Sequence, residues 1–317
     1  MAIPSVHRKG SLPTLRESLT VLAASAAFLA FQCLVVGLIP AQVLMVALFL
    51  LLFFACGQTR RLAVALLPFV AFEMCYDWMR LLPNYMVSPI DTRGLYCTEL
   101  SLFGVTAADG TRQTLCEYFA AHHSTLADLL AGLSYLCWVP GPMAVGLWLF
   151  LTGHRRHYLH FAVAFLVVNL VGFAIYYVHP AAPPWYVMEH GFEAVAGTPG
   201  SAAGLVRFDR LVGIPVFQGI YVNNSNIFAA IPSLHAAYML VATIYAAWAR
   251  APRWLIALCV VVTLGIWWAA VYTCHHYVVD VLLGIATAFA GTALFEMLLM
   301  RHRAVCRFMD SYERYVS

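Results

Sequence analysis

Eight apolar runs of 17 to 27 residues account for most of this 317-residue chain, at 19–39, 41–57, 62–82, 126–152, 158–178, 232–249, 254–274 and 276–300. A helix needs about 20 apolar residues to cross the hydrocarbon core of a bilayer. Inside lipid, every backbone polar group must find its partner within the protein. The runs therefore predict an all-α membrane protein with about eight transmembrane helices. Charged residues make up only 10% of the chain, against about 25% in a soluble domain. The two-residue alternation of a membrane β-barrel is absent. No basic tract with interleaved aromatics points to nucleic acid.

Charge sets the expected orientation. With the N-terminus in the cytoplasm and the runs alternating, thirteen basic residues fall inside: 8, 9, 16, 60, 61, 155, 156, 250, 253, 301, 303, 307 and 314. Five, Arg80, Arg93, Arg112, Arg207 and Arg210, fall outside or at the outer boundary, which is the asymmetry of the positive-inside rule. The first run is too long for the core of a signal peptide and is kept as a span. Pro40 ends it, and 41–57 either spans fully or re-enters. Two polar segments rich in Pro and Gly, 83–125 and 179–231, read as extracytoplasmic loops. Seventeen Arg to one Lys reads as a GC-rich bacterial genome. The expected location is thus a bacterial inner membrane with this face in the periplasm, or a Golgi membrane with this face in the lumen if the source is eukaryotic.

The chemistry-bearing residues gather on that face. His276 and Asp280 stand four apart at the start of the last run, where i and i+4 side chains share a helix face. The carboxylate can take one imidazole N–H, leaving the other ring nitrogen as a nucleophile. An acid at that depth needs such a partner. His235 follows Pro232 and Ser233 in the expected first turn of its helix. Pro is favoured there, and the open N–H groups form an anion site. A histidine beside a bound phosphate can protonate a leaving alkoxide and then deprotonate an incoming hydroxyl. Two histidines, one aspartate and a phosphate-sized anion site suit phosphoryl transfer without a metal or other cofactor.

The strings P-S-L-H (232–235) and H-Y-V-V-D (276–280) resemble the second and third signature motifs of the phosphatidic acid phosphatase type 2 superfamily. Within it, the chain is most similar to the branch of fungal inositol phosphorylceramide synthase, the aureobasidin target. Y-V-H-P-A-A-P-P-W-Y (177–186), G-L-V-R-F-D-R-L-V-G (204–213) and F-A-A-I-P-S-L-H (228–235) support that branch. The resemblance covers roughly 150–300. It implies His276 as nucleophile, Asp280 as its orienting partner and His235 as acid and base. It also implies a six-helix core, here 126–300 plus one earlier span, preceded by N-terminal spans within 1–125 and followed by a cytoplasmic tail, 301–317. The phosphatase members carry a basic first motif and an Arg six residues before the third-motif histidine. Here that position is Ala270. A phosphate monoester carries nearly two charges and calls for several cations, whereas a diester carries one. The loss of fixed cations points to a phospholipid headgroup as substrate.

The expected function is therefore transfer of a headgroup phosphate from a phospholipid donor onto a lipid alcohol. The preferred pair is inositol phosphate from phosphatidylinositol and a ceramide-like acceptor, through a phospho-histidine. A lipid phosphatase using the same three residues and a transporter without chemistry are the alternatives. Arg207, with Arg210 beside it and Asp209 to position it, is either a phosphate contact or an ordinary loop ion pair. Trp185, Tyr186, Trp267, Trp268 and Tyr272 either exclude water from the site or form an interfacial belt, and the belt is preferred for the Trp pair. Glu73 and Asp77 either bind the hydroxyls of a polyol headgroup or pair with Arg80. His275 faces about 100° from its neighbour on a helix, and either contacts the headgroup or caps. His154, His157 and His160 lack the cysteine or carboxylate partners of a metal site. Cys97 and Cys116 either form a disulfide in the outer loop or stay free. Asn223-Asn224-Ser225 matches a glycosylation sequon, moot in a bacterium. Oligomeric state is left open by the residues.

Overall fold

The computed structural model describes residues 12–222 and 226–317. Arg8, Lys9 and the sequon at Asn223 lie outside the described residues. The helices in order are α1 (Leu15–Phe31), α2 (Pro40–Ala55), α3 (Gly57–Ala65), α4 (Leu67–Trp78), α5 (Gly94–Phe103), α6 (Leu115–Ala121), α7 (Thr125–Leu136), α8 (Pro140–Leu151), α9 (Arg155–Val178), α10 (Pro184–His190), α11 (Val206–Val212), α12 (Val216–Tyr221), α13 (Leu234–Trp248), α14 (Arg253–Tyr272), α15 (Val278–Ala293) and α16 (Arg303–Val316). The described β-structure with two paired strands is the hairpin β1 (Val105–Thr106) and β2 (Arg112–Gln113) between α5 and α6.

The helical reading holds. Among the described residues, four helices are long and apolar enough to cross a membrane: Leu15–Val36, Arg155–Val178, Arg253–Tyr272 and Val278–Arg301. Two bent pairs raise the number to six, α3 with Leu67–Leu81 at 42° and α7 with α8 at 45°. Helices α2 and α13 are apolar but shorter. The runs at 62–82 and 126–152 are thus each broken, at Leu66–Leu67 and at 137–139. Pro68 and Pro140 stand at the starts of the second halves, where a missing N–H costs no helical bond.

The two expected loops are not irregular. Among the described residues, the five short α-helices α5, α6, α10, α11 and α12 and the hairpin fold over the end of the bundle that holds His235 and His276. Three tertiary tethers from this cover fix the site. Ala230 N–H donates to Ala181 O at 3.3 Å, Trp185 N–H to Cys274 O at 3.0 Å, and Gly204 N–H to Thr273 O at 2.9 Å. Each tether comes from a stretch that carried the family resemblance. A Cβ on Gly204 would meet the Thr273 Cα at 2.8 Å, so that contact needs a glycine.

The opposite end is rich in arginine. There α16 lies across α3 and α9, with the Tyr312 hydroxyl on Val64 O at 2.5 Å and Met309 buried beneath. The tail expected at 301–317 is therefore a docked amphipathic helix. Cys97 and Cys116 are both free thiols, Cys97 exposed and Cys116 buried. The disulfide alternative is overturned, because Cys116 points inward, its thiol 3.4 Å from His276 O.

Candidate active site

His235 is the second residue of α13, and Ser233 is its N-cap, the hydroxyl accepting Ala236 N–H at 3.4 Å. Pro232 therefore stands before the cap rather than in the first turn. Ser233 N–H donates to Asp280 O at 3.0 Å, which ties the two motifs together through backbone. One turn along α15, a Cβ on Gly284 would lie 2.1 Å from Ser233 O. The bare Cα there is what lets α13 begin against α15.

His276 is not on a helix. Helix α14 ends at Tyr272 and α15 begins at Val278, with Tyr277 as cap and Asp280 as its third residue. The N–H groups of His275 and His276 both donate to Ala270 O at 3.0 Å. Asp280 and His276 nevertheless meet, because the turn folds back. The Asp280 carboxylate accepts Tyr277 N–H at 2.8 Å and stands 3.5 Å from His276 Nδ1. A nearer partner of that nitrogen is Ala230 O, at 3.0 Å. A carbonyl can only accept, so the network assigns the proton to Nδ1. His276 Nε2 is left with its lone pair, 3.0 Å from His235 Nδ1. The expected convergence of the two rings is present, with the backbone carbonyl holding the tautomer more closely than the carboxylate does.

A cavity of about 650 Å³ opens beside the pair, within the range of small-molecule sites. His235, His275 and His276 line it, and so do Glu73, Asp77 and Arg80. Of the two acids, Asp77 is already engaged. It forms an ion pair with Arg80 and accepts from Gln42 at 2.6 Å and Gln32 at 3.4 Å. The Glu73 side chain is open to the cavity.

The remaining candidates separate. Trp185 lines the cavity. Tyr186 does not, since its hydroxyl donates to Glu193 O at 2.8 Å and accepts Val195 N–H at 2.7 Å, pinning its own loop. Arg207 is held by Asp128 at 2.6 Å and lies over the Tyr272 ring, so the ion-pair reading describes it, with a partner on α7. Asp209 does not position it. That carboxylate accepts Phe217 and Gln218 N–H at 3.0 and 2.9 Å, capping α12. Trp267 is no belt residue, its indole donating to Ala236 O at 2.9 Å, while Trp268 stacks on Tyr272. His275 lies in the turn rather than on a helix, and it is buried and lines the cavity, which favours the headgroup-contact alternative over the cap. Among the described residues, no group of three or more His, Cys, Asp or Glu side chains is arranged to hold a metal ion.

Sequence reasoning missed Asp128, Tyr135 and Tyr221. An acid at the start of an apolar run is a signal that could have found Asp128. The tyrosines carry no pattern that separates them from other core aromatics.

Comparison with known proteins follows the same residues. The PAP2 superfamily matches residues 111–294, a span containing both histidine motifs. A phosphoinositol dihydroceramide synthase of Bacteroides thetaiotaomicron is 52% identical over 305 residues, 96% of this chain and all of that one. An inositol phosphorylceramide synthase of Candida albicans is 30% identical over 233 residues, 73% of this chain and 47% of its own length. The catalytic subunit of that enzyme from Saccharomyces cerevisiae is 30% identical over 220 residues, 69% of this chain and 52% of the relative. The chain thus spans about half the length of these fungal relatives. No solved structure matches.

Proposed function

The chain belongs to the PAP2 superfamily, and on that premise we propose that it transfers inositol phosphate from phosphatidylinositol to a ceramide-type lipid alcohol, releasing diacylglycerol. The observation that carries this reading is the His276 Nε2 lone pair facing His235 across 3.0 Å beside a cavity that the Glu73 carboxylate also lines. The names of the relatives point to the inositol phosphate group and to a ceramide-type acceptor.

In the first step a phosphodiester displaces the hydrogen bond between the two rings and takes its place. The Nε2 lone pair attacks phosphorus, and the bond from phosphorus to the glycerol oxygen breaks. His235, as imidazolium, gives its Nδ1 proton to that oxygen. The phospho-imidazolium left on His276 carries positive charge, which Ala230 O and the Asp280 carboxylate stabilise through Nδ1–H. In the second step neutral His235 takes the proton of the lipid hydroxyl, whose oxygen attacks phosphorus and frees Nε2. Water would serve equally, so closure of the site by the Trp185 segment directs the outcome. Ala270, fully enclosed at the position where the phosphatases carry arginine, fits a substrate with a single negative charge.

Counting the two bent pairs and the two shorter apolar helices as spans gives the eight expected. Six of them form the core, and the histidine end faces the periplasm of a bacterial inner membrane. The arginine-rich end around α3, α9 and α16 supports that orientation.

Purified protein supplied with headgroup-labelled phosphatidylinositol and dihydroceramide tests the function. Mass analysis should find label on the sphingolipid and an equal amount of diacylglycerol. Label released as free inositol phosphate or phosphate, whether or not the alcohol is present, would instead make the protein a hydrolase.

A further inference from the structure

Beside the catalytic pair, among the described residues, buried His275 Nε2 has no hydrogen-bond partner, and the hydroxyls of Tyr135 and Tyr221 have none but each other, Tyr135 donating to Tyr221. Their rings form one cluster. The Tyr221 and Tyr135 rings lie 4.6 and 5.3 Å from that of His275, and Tyr135 lies 5.2 Å from His235. Tyr221 and His275 line the cavity. A buried polar group left unpaired bears the full cost of its desolvation. Buried groups are nearly always satisfied, so the unpaired ring nitrogen and the Tyr221 proton that the tyrosine pair leaves over ask for a partner. The transfer steps above use none of them.

The neighbours fix what His275 offers. The Thr273 hydroxyl gives its single proton to Ala269 O at 2.7 Å. In the 3.1 Å contact between that hydroxyl and His275 Nδ1, the ring nitrogen is therefore the donor. Nε2 presents a lone pair to the cavity. Burial, and then the nearby His276, push the His275 imidazole down to about 3, so it stays uncharged through the physiological range. A phosphodiester has no proton to give such a lone pair. A hydroxyl has one. Tyr221, a phenol, supplies a donor next to this acceptor.

We propose that His275 Nε2 accepts a hydrogen bond from a substrate hydroxyl while the Tyr221 hydroxyl donates to the same substrate, so that this uncharged wall orients an alcohol against the His235–His276 pair. The inference rests on the transferase reading. His275 is a positioning residue and takes no proton in either step. The hydroxyl belongs either to the polyol headgroup or to the lipid alcohol, and the two half-reactions tell them apart.

The test uses wild type, His275→Phe, His275→Gln and Tyr221→Phe, each full-length and reconstituted in phosphatidylcholine vesicles with labelled phosphatidylinositol. Diacylglycerol released in the first turnover without alcohol reads the donor step, and transfer at varied dihydroceramide reads the whole cycle. His275→Phe is expected to lower kcat/KM for the whole cycle roughly 30-fold, and His275→Gln, which keeps an acceptor, to recover most of it. Unchanged first-turnover release with a raised KM for the alcohol assigns the hydroxyl to the acceptor. A parallel fall in first-turnover release assigns it to the headgroup. Wild-type rates in His275→Phe, or a folded His275→Gln no better than His275→Phe, would overturn the proposal. Should His275→Phe fail to fold by thermal melting, Tyr221→Phe decides: a roughly tenfold loss upholds the wall, and full activity overturns it. Failure of wild type itself to transfer label would sink the transferase reading instead.

Discussion

The bundle of α9, α13 and α15 has a histidine–carboxylate contact at each end, and the two contacts are built differently. At the arginine-rich end, Glu296 accepts from His160 Nδ1 at 2.9 Å and from the Tyr245 hydroxyl at 2.7 Å. It sits in a π-helical segment, Leu294–Leu298, that continues α15. At the other end Asp280 is 3.5 Å from His276 Nδ1, and a backbone carbonyl stands nearer. The closer contact is thus the one away from the motifs. The arrangement proposed to react is the one in which the second ring nitrogen faces another imidazole beside a cavity. A short contact to an acid holds a histidine still, whereas a second nitrogen left with a lone pair makes it a nucleophile.

Substitutions can break this contrast, and the largest effect belongs to His276. His276→Ala should reduce headgroup transfer by at least about 10⁴-fold, and loss of an acid-labile, base-stable phosphoryl label from the protein would accompany it. Gly284→Ala comes next. The added carbon meets Ser233 O at 2.1 Å, so it must push the two motifs apart. A loss of about 100-fold is expected from misplacing reacting groups by an ångström or so, measured as kcat with the melting temperature followed in parallel. Glu73→Gln should raise the KM for phosphatidylinositol about tenfold with kcat little changed, whereas a uniform effect on every phospholipid donor would remove Glu73 from headgroup recognition. The smallest effect on transfer is expected from Glu296→Gln. It should cost about 1–3 kcal/mol of stability, as for a hydrogen bond to a charged group, and leave transfer within about threefold. Inactivity of a folded Glu296→Gln would erase the distinction between the two ends.

Parts of this arrangement were readable from residue order, for physical reasons. Apolar runs long enough to span lipid cannot be hidden, so the helical plan was visible. Hydropathy does not register a change of direction, so the breaks at Leu66–Leu67 and at 137–139 were not. His235, His276 and Asp280 stood out because each polar residue opened an apolar run. Yet the spacing argument reached Asp280 for an incomplete reason, since His276 lies in a turn where Cys274 has φ of 61°. That left-handed residue also carries His275 into the cavity, which no helical wheel can show. Arg207 found its carboxylate on Asp128, 79 positions away, and Ala230 O reached His276 across 46. Contacts of that range are made by the fold, and only the tethers from Ala181, Trp185 and Gly204 explain why the flanking stretches are as specific as the motifs.

The cavity joins two portions of the chain with different standing in the superfamily. The histidines that line it fall within the matched span, but Glu73, Asp77 and Arg80 precede residue 111, where that likeness begins. If these residues read the headgroup, lipid choice is written upstream of the shared signature. Sorting genomes by the histidine motifs alone would then pool enzymes with different products, and grafting the first hundred or so residues from one relative onto another would be the direct route to changing which lipid a cell makes.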